Sequence, residues 1–204
     1  MRFANALDIN IATLLRSIGF KRKGNVYLRI YGDGILQCIF LSRESSARNS
    51  NLSIAIRSIY EPEVFGDVSV YRGALTYPYE LSDFNIDKVI YPSDYDLLEY
   101  ACISKLNETN TQESYIKLVS LLDSERFGFV RWYMEMISIP SLMALGRYEL
   151  ALQKCDIVLS NNNELTPVLQ MKNTLATGNE ELIKSFLKEA KSNNLQQYAR
   201  LKFR

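Results

Sequence analysis

From Asn5 to Ile18 apolar side chains recur three or four positions apart: Ala6, Ile9, Leu14 and Ile18, joined by Leu7, Ile11 and Leu15. That spacing predicts one face of an α-helix, and Gly19 supplies the left-handed exit. Phe20 and a short basic run, Lys21-Arg22-Lys23-Gly24, follow, and then the period changes. Val26 to Tyr31 and Ile35 to Leu41 are β-branched and aromatic runs around Gly32-Asp33-Gly34, a hairpin signal. Asn51 to Ile59 alternates, with Leu52, Ile54 and Ile56 on one face and Ser53, Ala55 and Arg57 on the other. This predicts a half-buried antiparallel strand. Ser42 to Ser50 reads as a loop. Asp67 to Tyr77 predicts a fourth strand, broken near Gly73 and ended by Pro78, which has no N–H for the ladder.

Helical spacing takes over at Ser93. Ser93 to Asp96 has capping-box spacing, and Leu97, Leu98, Ala101, Cys102 and Leu106 continue an apolar face. Thr111 is placed to cap a second helix through Leu122. Glu125 to Leu145 predicts a third, which Pro140 kinks or splits because its ring excludes the carbonyl four residues back. Two later phrases then match at a period of 32 residues: "ALGRYELALQKCDIVLSNN" and "ATGNEELIKSFLKEAKSNN". Gly146 pairs with Gly178, Leu150 with Leu182, Cys155 with Leu187, Val158 with Ala190, and Ser160-Asn161-Asn162 with Ser192-Asn193-Asn194. Such a period with glycine at each turn predicts stacked helical hairpins. Thr166-Pro167 reads as a cap followed by a first-turn proline. The first copy, with Gly146, Tyr148 and Ala151, resembles the middle of a tetratricopeptide repeat. The second departs from it at Glu180 and Ile183 and reads as a capping hairpin.

The expected fold is therefore α+β. An N-terminal helix and an antiparallel sheet of about four strands occupy residues 1–92. An all-helical part of tetratricopeptide-like hairpins occupies 93–204. The order helix, "LLRSIGFKRKGNVYLRIYGDGILQCIFL", alternating strand resembles the bacterial domain-of-unknown-function family numbered 4304. Leu15, Gly19, Phe20, Lys21, Lys23, Gly24, Tyr27, Arg29, Gly34 and Gln37 carry the resemblance over the first 60 to 90 residues. It implies no catalytic residues. Some proteins similar to that family are encoded beside polymorphic toxins, which implies an immunity role.

Composition narrows the chemistry. The 204 residues are 47% hydrophobic and 23% charged, with no histidine. A core is affordable at that composition, whereas the commonest general base and every Ser-His or Cys-His nucleophile pair are excluded. Cys38, Cys102 and Cys155 have no metal-ligand spacing and read as small buried apolar residues. No segment has secretory-signal form or the roughly 20 apolar residues of a membrane span, so the expected compartment is the cytoplasm. Gly32-Asp33-Gly34 joins two strands and is no phosphate cradle.

A net charge of +1 hides a polar layout. Glu61 to Tyr100 holds nine acidic residues against two basic ones, and seven of the thirteen tyrosines lie at or inside it. One reading is an acidic loop and helix start. The sharper reading is a docking surface, since tyrosine is enriched at interface hot spots and a negative field speeds capture of a basic partner. The expected contact residues are Glu61, Glu63, Asp67, Tyr77, Tyr79, Glu80, Asp83, Asp87, Tyr91, Asp94, Tyr95 and Asp96. The expected partner is the cognate toxin domain of a contact-dependent or polymorphic system, a basic nuclease. The chain is then a non-enzymatic immunity protein with no cofactor, no metal, no nucleic acid and no membrane partner. The alternative is a helical-repeat adaptor that holds a peptide in a concave groove. A carboxylate-based enzyme is a third reading. Lys21 to Lys23, with Arg29, Arg43 and Arg48, reads either as a solvated turn or as a phosphate contact, and the adjoining acidic stretch opposes the latter.

Overall fold

The computed structural model describes residues 12–24, 26–43, 50–62, 75–79, 103–121 and 131–200. The α+β architecture expected from the change of period is present. Residues 12–17 are helical (α1). The chain leaves through Gly19 at φ 91°, where the Phe20 N–H donates to the Leu15 carbonyl at 2.9 Å.

Five strands follow in the order of the chain: β1 Lys21–Lys23, β2 Val26–Tyr31, β3 Ile35–Arg43, β4 Ser50–Ser58 and β5 Leu75–Tyr79. Each pairs antiparallel with the next. Two details correct the expectation. The basic run is itself an edge strand, Lys21 opposite Leu28 and Lys23 opposite Val26. A short, lysine-bearing edge discourages pairing with another chain. Pro78 lies within β5, opposite Ser53. β5 stands at the other edge of the sheet, the position in a sheet where proline is tolerated.

The strand alternation is legible, but both faces are covered. Tyr27, Ile35, Ile39 and Ile56 join the main core, and Leu28, Leu36, Cys38 and Ala55 form a second cluster on the opposite face. Ala55 and Arg57, expected to face solvent, are each 3% exposed.

The helices are α2 Ser104–Glu108, α3 Gln112–Leu121, α4 Arg131–Ala144, α5 Tyr148–Asn161, α6 Thr166–Ala176 and α7 Glu180–Arg200. Thr111 caps α3 as expected: its hydroxyl accepts from the Ser114 N–H at 3.1 Å. Pro140 sits inside α4 without splitting it. Pro167 occupies the first turn of α6, but the cap position falls on Leu165 and no side-chain oxygen serves it. Both copies of the repeat place matching residues alike. Cys155 and Val158 are buried, as are Leu187 and Ala190, while Leu150 and Leu182 are exposed. The copies part at their ends. Asn162 closes α5, whereas Ser192-Asn193-Asn194 lies inside α7, which runs on to Arg200. Thr166-Pro167 restarts the chain after the first copy, and no proline follows the second.

The surplus length of α7 reaches back to the sheet. The Asn194 side-chain N–H groups donate to the Ile59 and Glu61 carbonyls, both at 2.7 Å, and the Tyr198 hydroxyl lies 3.4 Å from the Leu28 carbonyl. The main core likewise runs without a break from Ala12 and Leu15 through the sheet to Ile183 and Leu187. The division at residue 92 lies outside the described residues, and the sheet and helical parts share one interior.

Polar contacts lock them together. Gly32, at φ 56°, is packed so closely that a Cβ there would stand 1.6 Å from the Asn110 carbonyl oxygen. The Asp33 N–H donates to that oxygen at 3.1 Å, and the Asp33 carboxylate accepts from the Gln112 N–H at 3.2 Å, at the start of α3. The Gln112 side-chain oxygen accepts from the hydroxyls of Ser58 and Ser141, both at 2.7 Å. Its amide nitrogen faces the carbonyls of Asp33 and Gly34. One glutamine thus ties hairpin, β4, α3 and α4.

Candidate functional site

Arg29, read above as a possible phosphate ligand, is 3% exposed. Its guanidinium lies 4.5 Å from the Phe20 ring and 4.0 Å from the Tyr31 ring. It donates to the Gln37 side chain at 2.7 Å, the Ile18 carbonyl at 2.8 Å and the Asn107 side chain at 2.6 Å. Several residues that carry the N-terminal resemblance, Gly19, Phe20, Arg29 and Gln37, are therefore one structural cluster that ends α1 against the sheet. Burial lowers the arginine's pKa, and the rings and three acceptors compensate its desolvation.

Of the expected contact residues, Glu61 is corrected. It is fully buried, so it presents nothing to a partner. One carboxylate oxygen accepts from the Tyr115 hydroxyl at 2.8 Å and from the Ser58 N–H at 2.9 Å. The other lies 3.5 Å from the Arg57 guanidinium. Burial raises the Glu61 pKa against the opposing pull of Arg57 and of both hydrogen bonds. Tyr115 and Tyr133 are also raised, first by burial and then by the carboxylate beside them. A sealed carboxylate between phenols is a structural anchor, because no substrate reaches it. The trace of it in the sequence is Arg57, a charge in an otherwise neutral alternating strand, with an acid four residues on.

Tyr77 and Tyr79 stand in β5 opposite Ile54 and Leu52. Glu63, Asp67, Glu80, Asp83, Asp87, Tyr91, Asp94, Tyr95 and Asp96 lie outside the described residues. Cys38 and Cys155 are buried free thiols as expected, and Cys102 lies outside the described residues. Burial pushes the Cys155 thiol up to about 12 and raises Cys38 further, so neither supplies a thiolate nucleophile. Among the described residues no three Cys, Asp or Glu are grouped to hold a metal ion, and no helix is long and apolar enough to cross a membrane.

What composition did not reveal is a hollow of about 480 Å³ where the last hairpin meets the end of the sheet. On α6, Gln170, Asn173 and Thr174 line it at helical spacing i, i+3 and i+4. On α7, Phe186, Glu189, Ala190 and Asn193 do so at i, i+3, i+4 and i+7, and Pro62 closes one side. The helix spacing puts each set on a single face. Phe186 and Ala190 form an apolar, partly or fully buried floor beside the half-buried Pro62, and Gln170, Asn173, Glu189 and Asn193 an exposed rim. The Thr174 hydroxyl is already donated to the Gln170 carbonyl at 2.9 Å. Asn194, next to the rim, is the residue that binds the Ile59 and Glu61 carbonyls, so the α7 wall is fixed to the sheet.

Comparison with protein-family models, curated proteins and solved structures returns no match for this chain.

Proposed function

We propose that the chain works by binding another polypeptide, in the hollow between the Pro62 corner and the α6–α7 hairpin, and not by turning over a substrate. The supporting observation is the lining itself, an apolar floor under a rim of amides and one carboxylate. Concave sites of this size, within a usual range of roughly 300–1,000 Å³, recognise ligands by shape with a few placed polar groups. The buried Glu61 carboxylate is occupied by Arg57, Ser58 and Tyr115.

The immunity reading is the specific form of this proposal. The acidic, tyrosine-rich stretch begins at Glu61, next to Pro62, a residue of the hollow's wall. The test is co-purification of the full chain with a toxin domain encoded beside it. Charge reversal at Asp83, Asp87, Asp94 and Asp96 abolishes the complex if the acidic stretch is the interface. Asn173→Ala with Asn193→Ala weakens it about tenfold if the hollow is. A complex indifferent to both sets rejects both surfaces. Removing residues 1–90 does not separate the immunity reading from the adaptor reading, because it strips the sheet from the shared core.

A further inference from the structure

Resting on that polypeptide-binding reading, we infer that the hollow takes an extended segment of its partner by the main chain and selects a lysine or arginine side chain at Glu189. Three observations converge. First, the rim carries three primary amides, Gln170, Asn173 and Asn193, none with a side-chain hydrogen bond among the described residues. A primary amide offers both donors and an acceptor, which matches the N–H and C=O of a peptide group. An extended strand leaves those groups free on its edges at about 3.3 Å per residue. A helical ligand has already satisfied its backbone, and it would desolvate the three amides without pairing them.

Second, the amides come from two helices. Gln170 and Asn173 are one turn apart on α6, with side chains about 5 to 6 Å apart at that spacing. Asn193 lines the same hollow from α7. The α7 wall is held in place, since Asn194 donates to the Ile59 and Glu61 carbonyls just past β4 and Ala190 is buried. Amides on both walls and a Phe186 floor describe a slot in which the partner's main chain runs between donors and one apolar side chain packs below.

Third, Glu189 is the single ionisable residue in the lining, is exposed, and has no ion pair among the described residues. It sits beside an apolar floor, where a cation's aliphatic stem is covered while its head reaches the carboxylate.

The experiment is selection of a phage-displayed library of random 12-residue peptides on the full chain, followed by fluorescence anisotropy of the enriched peptides. They are expected to carry a lysine or arginine. Asn173→Ala with Asn193→Ala is expected to weaken them about tenfold, the loss of two neutral hydrogen bonds. N-methylation of the bound main-chain amides is expected to weaken them by a similar factor on the unaltered protein. Glu189→Lys is expected to abolish the preference for a basic residue. No enrichment, enrichment without a basic residue, or equal binding to the double variant or of N-methylated peptides overturns the inference. A toxin domain that co-purifies regardless of these substitutions overturns it and the placement in the hollow, while binding of a polypeptide elsewhere on the chain stands. Absence of any complex removes both.

Discussion

The α4–α7 hairpins and the joint between hairpin Gly32-Asp33-Gly34 and α3 both fasten a helix to its neighbour, by different means. In the hairpins the fastening is apolar and local. Ala151, Cys155 and Val158 on α5, and Ile183, Leu187 and Ala190 on α7, are buried at intervals of three or four. At the joint it is polar and distant: Asp33 meets Gln112 across 79 positions, and Ser58 meets Gln112 across 54. Burial energy spreads over many interchangeable methyl groups, whereas a buried hydrogen bond fails completely when one partner leaves. The first kind of contact tolerates change. The second does not.

Two glycines put the contrast to its sharpest test. Gly32→Ala is expected to have the largest effect, about 3 kcal/mol, because a methyl group would meet backbone oxygen in a conformation already unfavourable for alanine. Gln112→Ala is expected to follow at about 2 kcal/mol, since it strips Ser58 and Ser141 of their buried acceptor. Gly146→Ala, at φ 72° but with nothing within 4 Å of an added Cβ, is expected to cost about 1 kcal/mol. Urea denaturation measures all three, and a Gly146 variant as damaged as the Gly32 variant would erase the distinction.

The smallest effect is a slope. The folded state raises the Glu61 pKa, so it holds that proton more tightly than the unfolded chain does. The associated stability is complete below the unfolded value of about 4.3 and is lost as pH rises through the folded value. The difference in urea midpoint between wild type and Glu61→Gln is therefore expected to widen from pH 4 upward, with wild type losing ground. A difference that stays constant with pH would show that burial does not govern this carboxylate.

The same contrast explains what could be read from the chain. Apolar spacing located β2, β3, β4, the hairpins and the glycine turns, because those patterns are local. Gln112, Ser58, Ser141 and Asn194 are residue types usually found at the surface, and their partners lie far away in sequence. Counting charges placed Glu61 in a solvent-facing acidic stretch, since a count carries no information about burial. Arg29 was assigned to a basic surface for the same reason. The hollow was invisible because its walls come from the sheet corner and two helices, and its residues share no motif. The departures of the second copy at Glu180 and Ile183 are legible in the sequence, but the run of α7 onto the sheet is not.

Asn194 also sets a timetable for synthesis. It satisfies the Ile59 carbonyl from 135 positions further along the chain. A ribosome adding about 5 to 20 residues per second needs about 7 to 27 s to travel that distance. Throughout that interval the Ile59 carbonyl is unmet and the core lacks a wall, so the nascent chain is most open to chaperones and proteases just before α7 emerges.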